Sequence, residues 1–302
     1  MLKSKILLFG KNGQVAYELI KKLESIAELI ICDRAEADFS DPQSVKTALN
    51  LHQPQIIINA VAYTAVDKAE EESKLAFIIN SETPKAIADY AKANGSLFIH
   101  YSTDFVFDGN SDDPYSEISK TSPISVYGKS KLAGDEAVLE SGCAAIIFRT
   151  SWVYGLRGKN FLLTMRRLAE TRKELKIVND QIGSPTWCGF IAQSTKEVLL
   201  NVLKQMHDIF DLNKIPEKYL GLFNLSASNS TSWYQFALAI VESDPNKKNH
   251  LCKKMIPIPS TEYPTPAQRP QFSVLDNTKL MQTFKLTIPT WEEQLRTCLY
   301  ND

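Results

Sequence analysis

The chain has 302 residues, 44% hydrophobic and 23% charged, an ordinary globular composition with length for two domains, or for one large α/β unit with an added lobe. Thirty-four Lys plus Arg against thirty-five Asp plus Glu leave a formal charge of -1. That balance excludes partners held by bulk positive charge, a nucleic acid or an anionic membrane, so any polyanionic ligand must be small and locally gripped. The five cysteines, Cys32, Cys143, Cys188, Cys252 and Cys298, stand far apart, so neither a disulfide ladder nor a paired-cysteine metal knuckle is expected. Reduced thiols in a cytoplasm are the default. The apolar run before Gly10 is too short for a signal segment or a membrane span, and nothing here targets the chain for export.

In chain order, short apolar runs alternate with amphipathic segments. ILLF (6–9) reads as a strand, and Val15, Leu19, Ile20 and Leu23 follow at helical spacing. LIIC (29–32) is the next strand. Asp41 is placed to cap a helix through Val45 and Leu49, with Pro42 at its first position. The run IIINAVA (56–62) is a third strand, followed by helices near 66–79 and 82–94, the second ended by Gly95. LFIHYS (97–102), a helix near 125–140 and AAIIFRT (144–150) complete this half. Apolar runs without alternation imply a sheet covered on both faces, the doubly wound parallel arrangement. After Arg149 the rhythm loosens into a helix NFLLTMRRLAETR, a strand LKIV, a helix over 190–204, a strand GLFNLSA (221–227), a capped helix from Ser230 or Thr231, and a last helix near Thr290. Five prolines fall between Pro257 and Pro270, which rules out regular helix or a central strand. That stretch reads as an ordered loop over a site or as a connector; composition favours the connector.

Gly10-Lys11-Asn12-Gly13-Gln14-Val15-Ala16 sits directly after the first strand and opens the first helix. Glycines there let backbone approach a pyrophosphate, and the helix start offers free N–H groups with partial positive charge. A second glycine pair, Gly155 and Gly158, has the same spacing, so position carries the assignment. The first pair has Asp33 at the end of the next strand, where a ribose hydroxyl would be held. Arg34 beside it could accept the extra phosphate of NADP, whereas Asp33 alone favours NAD; both cofactors stay open.

Tyr127 and Lys131 are four apart on a helix and share a face. An ammonium beside a phenol lowers the phenol's pKa toward neutrality, which suits it to pass a proton to a carbonyl oxygen. Tyr17 and Lys21 repeat the spacing. Context separates them. Tyr17 lies in the helix behind the glycine loop and reads as part of a surface ion pair. Tyr127 follows the strand ending in Ser102, Thr103 and Asp104, at the edge where ligands bind in open α/β sheets.

GKNGQVA, NAVAYTAVDKAE, HYSTDFVFDG, SPISVYGKSKLAGD, FRTSWVYG, NDQIGSPT and YPTPAQRP, in that order, together resemble the dTDP-4-dehydrorhamnose reductases, extended short-chain dehydrogenases of L-rhamnose biosynthesis. The glycine loop and the Tyr-Lys pair belong to the whole superfamily; TAVDKAE, FRTSWVYG and NDQIGSPT are specific to this branch. The resemblance implies a Rossmann-type domain over 1–150 with a return segment near 175–205, and a mainly substrate-binding lobe over 151–302. It implies reduction of the 4-keto group of a dTDP-4-keto-6-deoxy sugar by NADPH or NADH. Tyr127 would be the proton donor, and Lys131 would hold the nicotinamide ribose and tune Tyr127. Thr103 with Asp104 would bind the sugar at the reacting carbon, and Trp152 would pack on it. Gly13, Gln14 and Val15 would meet the pyrophosphate, Asp33 the adenosine ribose, and Asp38 with Phe39 the adenine. Ala62, Tyr63, Thr64 and Tyr101 would line the cofactor.

Arg269, in the proline-rich stretch, is a candidate contact for the sugar nucleotide. Some relatives dimerise through magnesium held by carboxylates on the first helix and on the helix after the GSPT turn. Here Glu18 remains, but Gly189 and Gln193 stand where acids are needed, so no metal site and a monomer or weak homodimer are expected. Cys143, Cys188 and the four histidines have no partner pattern and read as structural. Two other functions share this fold: a cofactor-binding regulatory subunit, and a sugar-nucleotide epimerase or dehydratase.

Overall fold

A computed structural model describes residues 4–206 and 210–300; one of the four histidines, His207, lies outside them. The unalternating apolar runs find cover on both faces in a six-stranded parallel sheet. Its strands are β1 (Lys5–Phe9), β2 (Glu28–Cys32), β3 (Ile56–Asn59), β4 (Leu97–Thr103), β5 (Ala145–Thr150) and a sixth, Gly221–Asn224. Across the sheet they run sixth, β5, β4, β3, β1, β2. The chain therefore turns back on itself between β1 and β3, which opens a crevice at their C-terminal ends.

The helices of the first half are α1 (Gln14–Leu23), α2 (Pro42–His52), α3 (Val66–Ala69), α4 (Ser73–Phe77), α5 (Thr83–Asn94) and α6 (Val126–Glu140). The second half adds α7 (Phe161–Thr171), α8 (Cys188–Met206), α9 (Trp233–Ser243), α10 (Thr278–Phe284) and α11 (Trp291–Tyr300). Successive residues of β1 face opposite layers. Ile6 and Leu8 pack with Leu19 of α1 and with Ile191 and Val198 of α8. Leu7 and Phe9 pack with Val45 and Leu49 of α2 and Ile87 of α5. Each such fully buried aliphatic or aromatic side chain contributes about 1.5–3 kcal/mol. Asp41 caps α2 through the Gln43 N–H at 3.0 Å, with Pro42 at its first position, and Ser125 caps α6.

Two departures from the sequence reading bear on the site. The helix expected over 66–79 is two short helices, α3 and α4, joined to α5 by a π-turn, Ile78–Glu82. The turn buries Asn80, whose Oδ1 accepts from the Tyr63 N–H at 2.8 Å and whose Nδ2 donates to the Tyr63 carbonyl and to Ser130 Oγ. Gly134 of α6 makes room for it, since a Cβ there would sit 2.1 Å from the Asn80 carbonyl oxygen. Secondly, the return to the sheet starts at α8 rather than near 175. Glu174–Val178 pairs with Lys254–Ile258 in the lobe, while α8, the sixth strand and α10 all join the sheet's core. Pro257 is accommodated because Lys254–Ile258 has one partner strand only. The lobe's own core is built from Leu162, Met165, Ile177, Phe236, Trp291 and Leu295.

Candidate active site

The turn from β1 into α1 carries the first half of the site. Gly10 has φ +98°, and a Cβ on it would meet Val61 and the Ala60 backbone at 3.0–3.1 Å, so only glycine fits this close crossing. Gly13 caps α1 with no side chain bonded to the helix end, and the first turn has no acid. The N–H groups there are left for an anionic ligand. Together these features form a cradle of the shape a dinucleotide's phosphates require.

A cavity of about 530 Å³ opens over this turn, lined by Gly10, Gly13, Asp33, Arg34, Asp38 and Phe39 on one side and by Ala62, Tyr63 and Thr64 on the other. Nine residues singled out from the sequence thus meet at one crevice. Asp33 lies in the wall of the cavity; its Oδ1 accepts from the Ala35 N–H at 2.8 Å, and a carboxylate has lone pairs for a further donor. Arg34, with a side chain 81% exposed, pairs with Asp38 at 3.3 Å, and hydrogen bonds from Ser40 hold the Asp38 carboxyl below its ordinary range. Phe39 is buried edge-on against Phe9. Gln14 and Val15 do not line the cavity. The Gln14 side chain accepts from Asn160 Nδ2 at 2.6 Å and Val15 packs on the sheet's core, so what they present at the helix start is backbone. Tyr101 likewise turns away, its hydroxyl 2.8 Å from Thr195 Oγ1 on α8.

The second half lies where β4 ends beside α6. Thr103 Oγ1 donates to Asp104 Oδ1 at 3.1 Å, and Ser151 Oγ donates to Asp104 Oδ2 at 2.9 Å. Burial nonetheless pushes the Asp104 carboxyl up to about 6. The Tyr127 ring stands edge-on to Phe105 at 5.5 Å. The expected lowering of Tyr127 by Lys131 is corrected here. Burial pushes Tyr127 up to about 12, with the nearby Thr103 side chain opposing and the charges of Asp104 and Asp135 adding to the rise. Lys131 is 1% exposed. Its Nζ donates to the Tyr101 carbonyl at 2.6 Å and lies 3.2 Å from His100 Nε2. Burial brings Lys131 itself down to about 8, against the pull of Asp135. His100, read from the sequence as merely structural, is therefore a direct neighbour of the site.

A second cavity, about 380 Å³, extends from Phe105 into the lobe, with Trp152, Phe161, Lys176, Trp233 and Arg269 in its wall. Trp152 adopts φ +45° and stacks flat on Trp233 with ring centroids 3.5 Å apart. Arg269 donates to Thr265 Oγ1 and pairs with Asp67 of α3 at 2.8 Å. Pro264–Pro270 is thus a wall of the cavity, tied across to the sheet domain, and the connector reading of that stretch gives way. Tyr17, the other tyrosine of the repeated spacing, lies under Arg157 and Lys21, at 4.0 and 4.4 Å from its ring. Among the described residues no group of three or more His, Cys, Asp or Glu could hold a metal; Glu18 pairs with Lys21, and Gln193 donates to Glu197. Sequence reasoning missed Asp67, Asn80, His100 and Trp233. Asp67 stands inside the quoted TAVDKAE, and only tertiary packing assigns a task to the other three.

A parallel sheet with its crevice at the β1 and β3 ends, and a tyrosine and lysine one helical turn apart beside it, define a class: extended short-chain dehydrogenases of Rossmann type. The family model described as RmlD substrate binding domain matches residues 4–302, and the chain belongs to that family. It is 42% identical over 292 residues to the dTDP-4-dehydrorhamnose reductase of Escherichia coli strain K12, covering 95% of this chain and 94% of the relative. A crystal structure of a dTDP-4-dehydrorhamnose reductase from Clostridium acetobutylicum superposes with a TM-score of 0.86 at 36% identity, covering 97% of this chain and 98% of that one. The Bacillus anthracis dTDP-4-dehydrorhamnose reductase, solved in complex with NADP, gives a TM-score of 0.86 at 30% identity over 100% of both chains.

Proposed function

We propose that this protein reduces the 4-keto group of dTDP-4-dehydro-L-rhamnose, giving dTDP-L-rhamnose, with NADPH or NADH as reductant. The observation that carries the reading is the pairing of Tyr127 with the buried Lys131 one helical turn on along α6, beside the end of β4, in a fold with one cavity over a glycine cradle and another walled by aromatic rings and Arg269. When bound, the reduced nicotinamide supplies a hydride. Gly10 and Gly13 give its phosphates room, the first turn of α1 offers them its N–H groups, Asp33 or Arg34 meets the adenosine ribose, and Asp38 with Phe39 borders the adenine. Ala62, Tyr63 and Thr64 line the opposite wall.

The remaining chemistry belongs to the chain. Tyr127, held as a neutral phenol, gives its proton to the sugar oxygen as negative charge develops there. Thr103 orients that oxygen, and Asp104 fixes Thr103 by accepting its hydrogen bond. Lys131 stabilises the phenolate left behind and holds the nicotinamide ribose. Trp152 packs on the sugar nucleotide, and Arg269 meets its diphosphate with a planar pair of donors. The substrate and cofactor are both small polyanions, in keeping with the near-zero net charge. Free thiols at all five cysteines fit a reducing compartment, and we place the reaction in the cytoplasm.

The test is Tyr127→Phe. Turnover should fall at least about 100-fold, the usual worth of a positioned proton donor, while NADPH titrated by fluorescence binds within about twofold of wild type. Wild-type turnover in the variant would remove Tyr127 from the mechanism. Consumption of one NAD(P)H per sugar separates the reductase from epimerases and dehydratases, which keep their cofactor.

A further inference from the structure

Arg269 reaches the wall of the aromatic cavity from a segment bracketed by Pro264, Pro266 and Pro270. An arginine left to itself there would sample many rotamers. This one is held. Its Nη1 donates to Thr265 Oγ1 and to the Ala267 carbonyl, the latter at 3.1 Å, and its Nη2 donates to Asp67 Oδ2 at 2.8 Å. A guanidinium carries five N–H donors in one plane. The Nε–H and the second Nη2–H therefore stand without a partner among the described residues, and together they can meet two oxygens of a phosphate.

Thr265 and Ala267 belong to the same segment as the arginine, so Asp67 of α3 is its anchor on the sheet domain. The carboxyl holds the segment at two points: Oδ2 takes the guanidinium, and Oδ1 accepts from the Ala267 N–H at 3.2 Å. The arginine's hydrogen bond in turn keeps the Asp67 carboxyl below its ordinary range. Further along, the segment is fastened separately. Gly109 has φ +84°, a Cβ on it would lie 2.6 Å from Pro270 Cα, and its carbonyl accepts from the Phe272 N–H at 3.3 Å. The guanidinium thus depends on Asp67 more than the chain around it does.

We propose that Asp67 is a positioning residue, which orders the Arg269 guanidinium before substrate arrives and leaves its two remaining donors set for the diphosphate of the nucleotide sugar. The inference rests on the contact between Arg269 and the diphosphate proposed above. Charge alone would give the opposite sign, because a carboxylate beside the arginine repels an incoming diphosphate and its removal would tighten binding. The Asp67 side chain is 41% exposed, however, so solvent and salt damp that repulsion. An arginine already ordered still loses less freedom when the ligand binds, and this effect decides the sign.

The test is a double-mutant cycle read by calorimetric titration of dTDP into the full chain. Arg269→Gln should raise Kd at least about tenfold, the usual worth of a charge-assisted hydrogen bond. Asp67→Asn keeps the size but has one acceptor oxygen where the Ala267 N–H and Arg269 Nη2 need two, and should raise Kd about three- to tenfold. Added to Arg269→Gln, it should change Kd by less than about twofold, because it acts through the arginine. A merely structural role would add its full loss in both backgrounds. In turnover, Asp67→Asn should raise KM for the keto sugar by a similar factor and leave kcat within about twofold. In the free wild-type protein labelled with ¹⁵N-arginine, the Arg269 signals, assigned by their loss in Arg269→Gln, should show hindered rotation of the Nη groups. Freely rotating Nη groups would overturn the proposal even if Asp67→Asn does not fold. So would an unchanged or lower Kd in Asp67→Asn, or an additive loss in the double variant. Failure of the reading beneath it looks different: Arg269→Gln would then bind dTDP as tightly as wild type.

Discussion

Tyr127 and Tyr17 stand at the same spacing from a lysine, and their surroundings give them different chemistry. Tyr17 is stacked under two cations at the surface, while the Tyr127 phenol is kept neutral by burial. Asp104 yields a pH prediction. Its carboxyl is raised from 3.8 to about 6 in the folded protein, so between those values the native state binds more protons than the unfolded one and stability falls as pH rises. The loss is complete above about 6 and amounts to roughly 2–3 kcal/mol at 1.36 kcal/mol per unit. Denaturant titrations at pH 4 and pH 7.5 should show Asp104→Asn gaining stability relative to wild type at the higher pH; an equal difference at both would show that Asp104 titrates normally. The proposed contact of Arg34 with the extra phosphate of NADPH can be tested directly. Arg34→Ala should raise KM for NADPH about tenfold, the worth of one charge-assisted hydrogen bond, and leave KM for NADH nearly unchanged. Equal shifts for both would place the 2′-phosphate elsewhere. The Tyr-Lys pairing was legible in the sequence because one helical turn fixes it. Where Lys131 points was not, because β4 supplies its partners from thirty residues away.

At the scale of elements, the π-turn between α4 and α5 shows what periodicity can and cannot carry. Apolar spacing marked helix on both sides of it, but one extra residue in a turn leaves the composition untouched while it rotates Asn80 inward. That rotation lets Asn80 hold the Tyr63 backbone beside the cofactor crevice, and Gly134 of α6 is what permits the contact. Gly134→Ala should destabilise the fold by about 1–3 kcal/mol, the usual cost of forcing a methyl into a packed contact, and should raise KM for the nicotinamide cofactor through the displaced Tyr63 segment. Thermal denaturation and cofactor titration check the two halves; full stability in the variant would show that α6 can move away freely. The Asp41 cap was readable for the opposite reason, since Asp41 acts on the Gln43 N–H two residues ahead.

For the molecule as a whole, the proposed active site forms where two layers meet. The sheet domain supplies the glycine cradle, Thr103 and Tyr127, and the lobe supplies Trp233 and Arg269, the latter tied back to α3 through Asp67. The doubly wound sheet was evident from its apolar runs, but the return of α8, the sixth strand and α10 to that sheet rests on packing between distant segments that no local pattern records. The proline-rich stretch shows the same limit, since composition favours a connector while its contacts make it the wall of a cavity. The most direct test is one reaction: purified protein incubated with dTDP-4-dehydro-L-rhamnose and NADPH or NADH, with absorbance followed and the sugar product identified. One reduced cofactor consumed per dTDP-L-rhamnose formed is the predicted result. Turnover of the sugar without net consumption of cofactor, or no turnover with either cofactor, would contradict it.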